Sequence, residues 1–405
     1  MSDQKFGNKE SLAIAFSVAS IWFGTHVGGG FASGNQVISY YVQYGITAVI
    51  FPLIAMGLLA YFMFVVMRLA KARGFNNYKD TFEVLYPHPK MELIFEFYFI
   101  CICLAGVASA VAGAGNVLAN IMGIEYVGAA KALFNLAMVA LIVVLCAFGI
   151  KVVQAASTVL SAALLITIAI LVVTGVAFDY STAAKQLMAA NGIEAAAPYT
   201  SNVGSAIWRG IFVYAGFQCV SIAPMLPATG ELNMKGVKRT AVLGWLMNGL
   251  ALAASGLMLY KWYPLLKVLR DSGAEGFTTC LNIPNQTVLG IMGIQWLTWL
   301  FSILLFCAFL STSVTLTYSI VQRFEPHCFP KTIKSKTLRS FLVGIVSVAL
   351  CFCVSLLGLT KIVVLIYGYL GYYAIALIVL PAFIWGIPKG KKAIAEAKAA
   401  QAAKG

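Results

Sequence analysis

Apolar runs of about twenty residues or more recur along the whole of this chain, and no other feature of the sequence limits its fold so severely. Wound as a helix at about 1.5 Å per residue, one such run crosses a hydrocarbon layer of roughly 30 Å. Inside lipid the backbone finds no water, so each N–H and C=O has to be paired within the crossing segment, and a helix does this by itself. The charge content agrees. Only 10% of the residues are charged and 61% are hydrophobic, whereas a water-soluble domain carries about 25% charge. The chain reads as an all-α integral membrane protein, with the lipid bilayer as its solvent.

About ten transmembrane helices are predicted, at roughly 11–40, 45–70, 91–121, 128–149, 152–177, 203–230, 239–262, 292–321, 340–357 and 361–386,. Met1 to Glu10 is polar and the run after it has no small-residue cleavage site at the expected distance, so the first helix is read as retained,. Nine cysteines lie mostly inside apolar runs with no CxxC spacing, which excludes a disulfide scaffold and a zinc site,. The polar stretch 179–202 divides the spans five and five. The longest loop, Pro264 to Gly290, has room for short helices of its own.

With the N-terminus placed in the cytoplasm, 21 of the 28 Lys and Arg residues fall in cytoplasmic segments, as the positive-inside rule requires. The formal charge of +14 therefore reflects topology, and nucleic acid is excluded as a partner because the basic residues are scattered over loops. The location expected is the inner (plasma) membrane, multi-pass, with both termini cytoplasmic. The basic tail, 389–405, is read as a solvated terminus, with contact to anionic lipid as the lesser alternative. An odd number of helices per half forces the two halves into opposite orientations. The expected organisation is a first five-helix repeat at 1–178, an extracytoplasmic connector at 179–202 and a second, inverted repeat at 203–388, an architecture of transporters.

The first span contains Gly24-Thr25-His26-Val27-Gly28-Gly29-Gly30-Phe31-Ala32-Ser33-Gly34-Asn35-Gln36. Each Gly costs a helix about 1 kcal/mol relative to Ala, so unwinding is predicted there. A break exposes carbonyls that can hold a cation and N–H groups that can hold an anion. The alternative is a tightly packed helix using Gly28 and Ala32 as a small-xxx-small pair. In the second half, Tyr214-Ala215-Gly216-Phe217-Gln218-Cys219-Val220-Ser221 sits mid-span with Pro224 and Pro227 after it. A second interruption is predicted at the matching place, against the alternative of an ordinary proline kink.

In the order of its spans, its two interrupted helices and its GTHVGGGFASGNQ signature, the chain resembles the YkvI-type membrane proteins. These are amino-acid permeases of the amino acid–polyamine–organocation superfamily with the LeuT-type fold, and the resemblance covers essentially the whole chain. It implies broken helices 1 and 6 and a sodium ion as coupling ion, with no organic cofactor. Laid on this sequence, the ion's ligands would be the carbonyls of Gly24, Val27 and Ala308 with the hydroxyls of Ser311 and Thr312. Ala308, Ser311 and Thr312 stand at i, i+3 and i+4 and share a helix face, and oxygen ligands suit a small hard cation. The competing reading is that Ser311, Thr312, Ser313 and Thr315 bond back to their own helix. Some relatives place a lysine of the fifth span at the ion's position. This fifth span has only Lys151 at its end, with Ser157, Thr158 and Ser161 further in, which favours sodium over proton coupling.

A small zwitterionic or cationic substrate is expected at the breaks. The candidate contacts are Trp22, Thr25, His26, Gly28, Gly29, Gly30 and Phe31 in the first span and Tyr214, Phe217 and Gln218 in the sixth. No acidic residue lies near the middle of a span. A substrate cation would therefore meet carbonyls and aromatic faces, and the amides of Gly28 to Phe31 would take a carboxylate. The aromatic residues have plain packing as their alternative. The YkvI-type pattern has an apolar residue where His26 stands. It touches substrate or accepts a proton, or it is a neutral ring bonded to loose backbone carbonyls. Glu92 and Glu96, at the start of the third span, are read as partners of loop Arg or Lys.

The leading functional expectation is a sodium-driven symporter for an amino acid or related zwitterion. The alternatives are a quaternary amine or betaine carrier and a proton-coupled permease using His26. An enzyme is disfavoured, since His26, His88 and His327 are far apart and no intramembrane carboxylate pair exists,. A channel would need rings of charge or a carbonyl filter. Oligomeric state is not determined by the sequence.

Overall fold

The computed structural model describes residues 12–148, 150–200, 202–325 and 335–402. Among the described residues, eight helices are long and apolar enough to cross a bilayer: Thr47–Arg73, Pro89–Ile121, Gly128–Leu145, Val203–Thr229, Met234–Asp271, Gln295–Val321, Leu338–Ser355 and Leu359–Ala400. Ile150–Ala177 is a further helix of that length, and Tyr180–Ala190 turns away from its end by 82°. The remaining apolar segment, near the chain's start, is in three pieces, Leu12–His26, Gly29–Ala32 and Asn35–Tyr40. In chain order these are the first to tenth spans. The protein is a multi-pass membrane protein.

Packing sorts the spans into two groups. The first, second, sixth and seventh lie against one another, with the second along the seventh; the third, fourth, eighth and ninth form the other group, with the third along the eighth. The tenth packs on the sixth and the third, and the fifth bridges by lying on the eighth and seventh. Small residues set the closest approach. A methyl group at Gly216 would strike the backbone carbonyl of Gly371, and one at Gly371 would strike that of Val213, so the sixth and tenth spans touch backbone to backbone. Large apolar side chains such as Leu133, Val173 and Tyr369 remain exposed on the outside, where lipid is the expected solvent.

Two elements run on past their predicted ends. The seventh span, expected at 239–262, continues as a helix from Met234 to Asp271 with Pro264 inside it. Proline lacks the N–H that would bond the carbonyl four residues back. Here the Tyr199 hydroxyl donates to that carbonyl, of Tyr260, in its place. The tail, read from the sequence as a solvated terminus, is helical over Ile387–Ala402, and it is pinned near the Arg73 end of the second span. Glu396 pairs with Arg73 at 2.9 Å, Lys389 Nζ donates to the carbonyls of Val84 (2.9 Å) and Tyr86 (2.6 Å), and Ala393 is buried. The long loop carries the helix Pro284–Met292, as its length allowed. We call the side of the molecule at the end of the second span the Arg73 face, and the opposite side the Asn285 face.

Candidate functional site

The first span opens where its glycines cluster. Its opening helix ends at His26, Gly28 is extended at φ −75°, ψ 175°, and the next helical turn begins at Gly29. Val27 N–H still reaches the Phe23 carbonyl at 2.8 Å. Among the described residues, no backbone N–H pairs with the carbonyls of Gly24, Thr25 or His26 across the break. A second discontinuity follows at Gly34, which sits at φ 85°, a conformation that glycine adopts without the Cβ clash of other residues. A methyl group there would also come within 2.8 Å of Asn285 Oδ1.

The interruption in the sixth span is of another kind. Its winding passes from π over Trp208–Val213 to α over Tyr214–Gln218 and to 3-10 over Cys219–Ser221, while the chain remains helical. The hydroxyl of Tyr98, on the third span, lies 3.1 Å from the Gly216 carbonyl and 2.6 Å from that of Phe217.

His26 joins the break to both neighbouring helices. Asn248 of the seventh span donates its Nδ2 hydrogen to the Gly244 carbonyl at 2.7 Å, which leaves its Oδ1 to accept. His26 Nδ1 therefore donates to Asn248 Oδ1 at 2.6 Å, and Nε2 of the neutral ring accepts from the Tyr214 hydroxyl at 2.8 Å,. Gln36 Oε1 stands 3.4 Å from the same hydroxyl. The ring stacks on Phe31 with centroids 5.5 Å apart. Both nitrogens of His26 are thus held by the protein, and its partners are side chains rather than the loose carbonyls considered above.

Around this node the aromatic residues form one connected cluster. Tyr214 meets Phe217 at 4.8 Å, Tyr41 at 5.0 Å and Tyr40 at 5.4 Å between centroids. Phe217 meets Tyr367 at 5.2 Å, and the Tyr367 hydroxyl is 2.9 Å from Ser109 Oγ on the third span. Gln218 is buried at the end of this stretch. Trp22 is placed elsewhere: it is fully buried, and a methyl group at Gly244 would overlap its ring. It is packing between the first and seventh spans. Thr25 is exposed and bonds back to the carbonyls of Ile21 (3.0 Å) and Trp22 (2.8 Å).

The eighth span meets the break at Phe309 and Thr312. A methyl group on either Gly29 or Gly113 would overlap the Phe309 ring, which fills the slot between the first and third spans. Gly30 is likewise filled by Gln36. Thr312 Oγ1 lies 3.8 Å from the place a Gly28 Cβ would take. Ser313 Oγ, by contrast, bonds back to the Phe309 carbonyl at 2.9 Å. Ser311 is buried and Ala308 half-buried on the same helix. Val27 is buried beside the break, whereas Gly24 is exposed and its Cβ direction meets nothing within 4 Å. The fifth-span positions Lys151, Ser157, Thr158 and Ser161 lie outside the described side chains. Glu96 does pair with Arg323 and accepts from the Tyr78 hydroxyl at 2.9 Å, while Glu92 Oε2 is buried with no partner among the described residues.

On the Asn285 face the break is latched shut. Asn285 N–H donates to the Ser33 carbonyl at 3.0 Å, and its side chain donates to that of Ala32 at 2.9 Å. Asn35 Nδ2 reaches the Leu281 carbonyl and Thr360 Oγ1, both at 2.7 Å, and Thr360 in turn donates to Asn282 at 2.6 Å.

Asn248, Tyr98, Phe309 and Arg209 were not singled out from the sequence. Arg209 sits in the π-wound part of the sixth span, donating to the Val364 carbonyl at 3.1 Å with its guanidinium 5.6 Å from the Tyr40 ring centre. Its Nε is buried with no partner, and none of the ion pairs among the described residues includes it. A charge inside an apolar span is itself the signal that could have found it.

No protein-family model and no curated protein matches this sequence. Solved structures do match in fold. A crystal structure of MhsT in complex with L-phenylalanine superposes with a TM-score of 0.56 at 14% identity, covering 97% of this chain and 99% of that one. The substrate-bound outward-open state of a Na+-coupled sialic acid symporter gives 0.55 at 16% identity, covering 95% of this chain and 81% of that chain. The inward-facing conformation of Mhp1 gives 0.53 at 15% identity, covering 96% and 91%. The chain has the LeuT-type fold.

Proposed function

We propose that this protein is a sodium-driven symporter for an amino acid or a related small zwitterion, working by alternating access around the broken first span. The observation that carries the reading is Thr312. Its hydroxyl has no hydrogen bond back to its own helix among the described residues and lies against Gly28 at the break, while its neighbour Ser313 is consumed by such a bond. A free hydroxyl beside unpaired carbonyls is what a small hard cation requires. The ligands in this reading are Gly24, Val27, Ala308, Ser311 and Thr312. Its support from likeness is the Na+-coupled sialic acid symporter and the YkvI-type glycine signature. One positive charge falling through about 100 mV supplies about 2.3 kcal/mol, enough for about fiftyfold accumulation.

The Arg73 face is the cytoplasmic one in this reading, supported by the excess of Lys and Arg on it. The latched Asn285 face and the exposed Gly24 and Thr25 then correspond to access from the cytoplasm. Gly28 to Phe31 with Tyr214, Phe217 and Gln218 surround the substrate. His26, with both nitrogens engaged, holds the break in register instead of carrying protons. Arg209 favours a substrate with a carboxylate, because a span cation without an acidic partner gains most from an anionic group.

The test is uptake into proteoliposomes across a panel of amino acids, betaine and choline, with inward sodium or potassium gradients. Sodium-stimulated uptake of a carboxylate-bearing compound, lost in Ser311→Ala/Thr312→Ala, is the expected result. Undiminished sodium stimulation in that double variant sinks the ion-site assignment, and equal transport of choline and betaine sinks the carboxylate preference.

A further inference from the structure

On the Arg73 face a cavity of about 250 Å³ opens between the second span, the start of the seventh and the C-terminal helix. Its lining is Arg68, Lys235, Lys238 and Lys398 together with Phe64, Met234 and Ile394. Four cations converge on it and no carboxylate lines it. The nearby Glu396 is already engaged by Arg73. Arg68 is positioned, not loose: its guanidinium lies 5.6 Å from the Phe64 ring centre and a methyl group at Gly390 would come within 3.5 Å of its Nε.

The local charge is set against the helix. The seventh span has no acidic residue in its first turn, although the positive end of a helix dipole favours acids and disfavours bases. Lys235 and Lys238 stand there instead. The side chains that line the cavity and the helix end beside it both carry positive charge, and both attract an anion placed there.

Below the cations the surface is greasy. Continuing from Lys238 along the same helix face, Val242, Trp245 and Leu246 stand at i+4, i+7 and i+8 and are 43%, 36% and 40% exposed. On the facing second span, Tyr61 lies one turn from Phe64 and is 48% exposed. The Trp245 indole N–H donates to the Leu53 carbonyl at 2.8 Å, which closes the floor between the two helices. A basic cavity above a strip of exposed apolar side chains matches one ligand shape: a phosphate with acyl chains.

We propose that this cavity binds the phosphate of an anionic phospholipid, with Arg68, Lys235, Lys238 and Lys398 around the headgroup and the chains along Val242, Trp245 and Leu246. The apolar strip selects a lipid over a soluble phosphate, which has nothing to place there. The inference rests on the membrane fold and not on the coupling ion or the substrate, so it is tested without transport.

The full-length protein, purified in a neutral detergent and stripped of lipid, is titrated with phosphatidylglycerol, phosphatidylcholine or glycerol 3-phosphate. Binding is read by native mass spectrometry and by thermal stabilisation. Phosphatidylglycerol is expected to bind at least tenfold more tightly than phosphatidylcholine. That preference should vanish in Lys238→Gln/Lys398→Gln, whose side chains are exposed, and persist in Lys185→Gln/Lys361→Gln on the other face. Raising salt on the wild-type protein should weaken phosphatidylglycerol binding selectively, which tests the same point without any variant. An unchanged preference in Lys238→Gln/Lys398→Gln, or equal stabilisation by phosphatidylcholine, overturns the proposal. Equal binding of glycerol 3-phosphate replaces the lipid with a soluble ligand and also overturns it.

Discussion

The first and sixth spans are both interrupted, yet the chain opens in one and stays wound in the other. At Gly28 the backbone is extended and, among the described residues, no backbone N–H pairs with the carbonyls of Gly24, Thr25 or His26. Between Trp208 and Ser221 the helix only changes pitch, and the Tyr98 hydroxyl bonds the carbonyls of Gly216 and Phe217. The difference follows from composition. Three consecutive glycines remove the side-chain contacts that favour continued winding, while the prolines of the sixth span lie beyond its aromatic stretch and leave the stretch itself helical. Among the described residues the first break leaves its three carbonyls without a backbone N–H. The sixth contributes rings.

The sharpest attack on that contrast is steric. Gly29→Val drives a side chain into Phe309, and overpacking of this kind costs about 1–3 kcal/mol. Loss of transport together with a lower melting temperature is expected, and a variant with normal uptake and melting would mean that the break is not tightly packed.

Next in size is the division of labour between adjacent hydroxyls. Thr312→Ala is expected to reduce sodium stimulation at least about tenfold, which corresponds to about 1.4 kcal/mol, and Ser313→Ala to leave it unchanged. Equal effects of the two would show that both hydroxyls serve only their own helix.

In the sixth span, Tyr98→Phe removes both hydrogen bonds to the carbonyls of Gly216 and Phe217. A stability loss of about 1–2 kcal/mol is expected, with faster amide exchange near Gly216 and unaltered sodium dependence. A shift in sodium dependence would mean that the two interruptions are energetically one element.

The smallest effect concerns the latch. Burial pushes the Cys280 thiol, in the hairpin that closes on the first span, up to about 12, so the thiolate that reacts is scarce at pH 8. Slow labelling is expected, faster only when the hairpin lifts. Labelling of Cys280 in the folded protein at the rate found after denaturation would show that the Asn285 contacts are not closed in solution.

Much of the fold was legible beforehand because its causes are local. Span length follows from bilayer thickness, and the opening at Gly28 follows from glycine density. The connections were not legible. Asn248 is one apolar-span asparagine among several until the fold sets its oxygen 2.6 Å from His26. Phe309 reads as lipid-facing or core alike until Gly29 and Gly113, from two other spans, are seen to share its ring. Pro264 signalled an end that Tyr199, sixty-five positions away in the numbering, cancels by bonding the bared carbonyl. Where the tail's helix docks was not legible because its anchors, Val84, Tyr86 and Arg73, belong to a distant stretch of the chain.

What the sequence determined by itself is that the chain lives in lipid as a bundle of helices with its first span broken, since backbone pairing in hydrocarbon and the cost of glycine act residue by residue. The tertiary structure alone decided which oxygens stay unpaired, which ring fills which glycine slot and where the cations gather. Those outcomes depend on partners brought together from different helices, and periodicity names a face without naming what meets it.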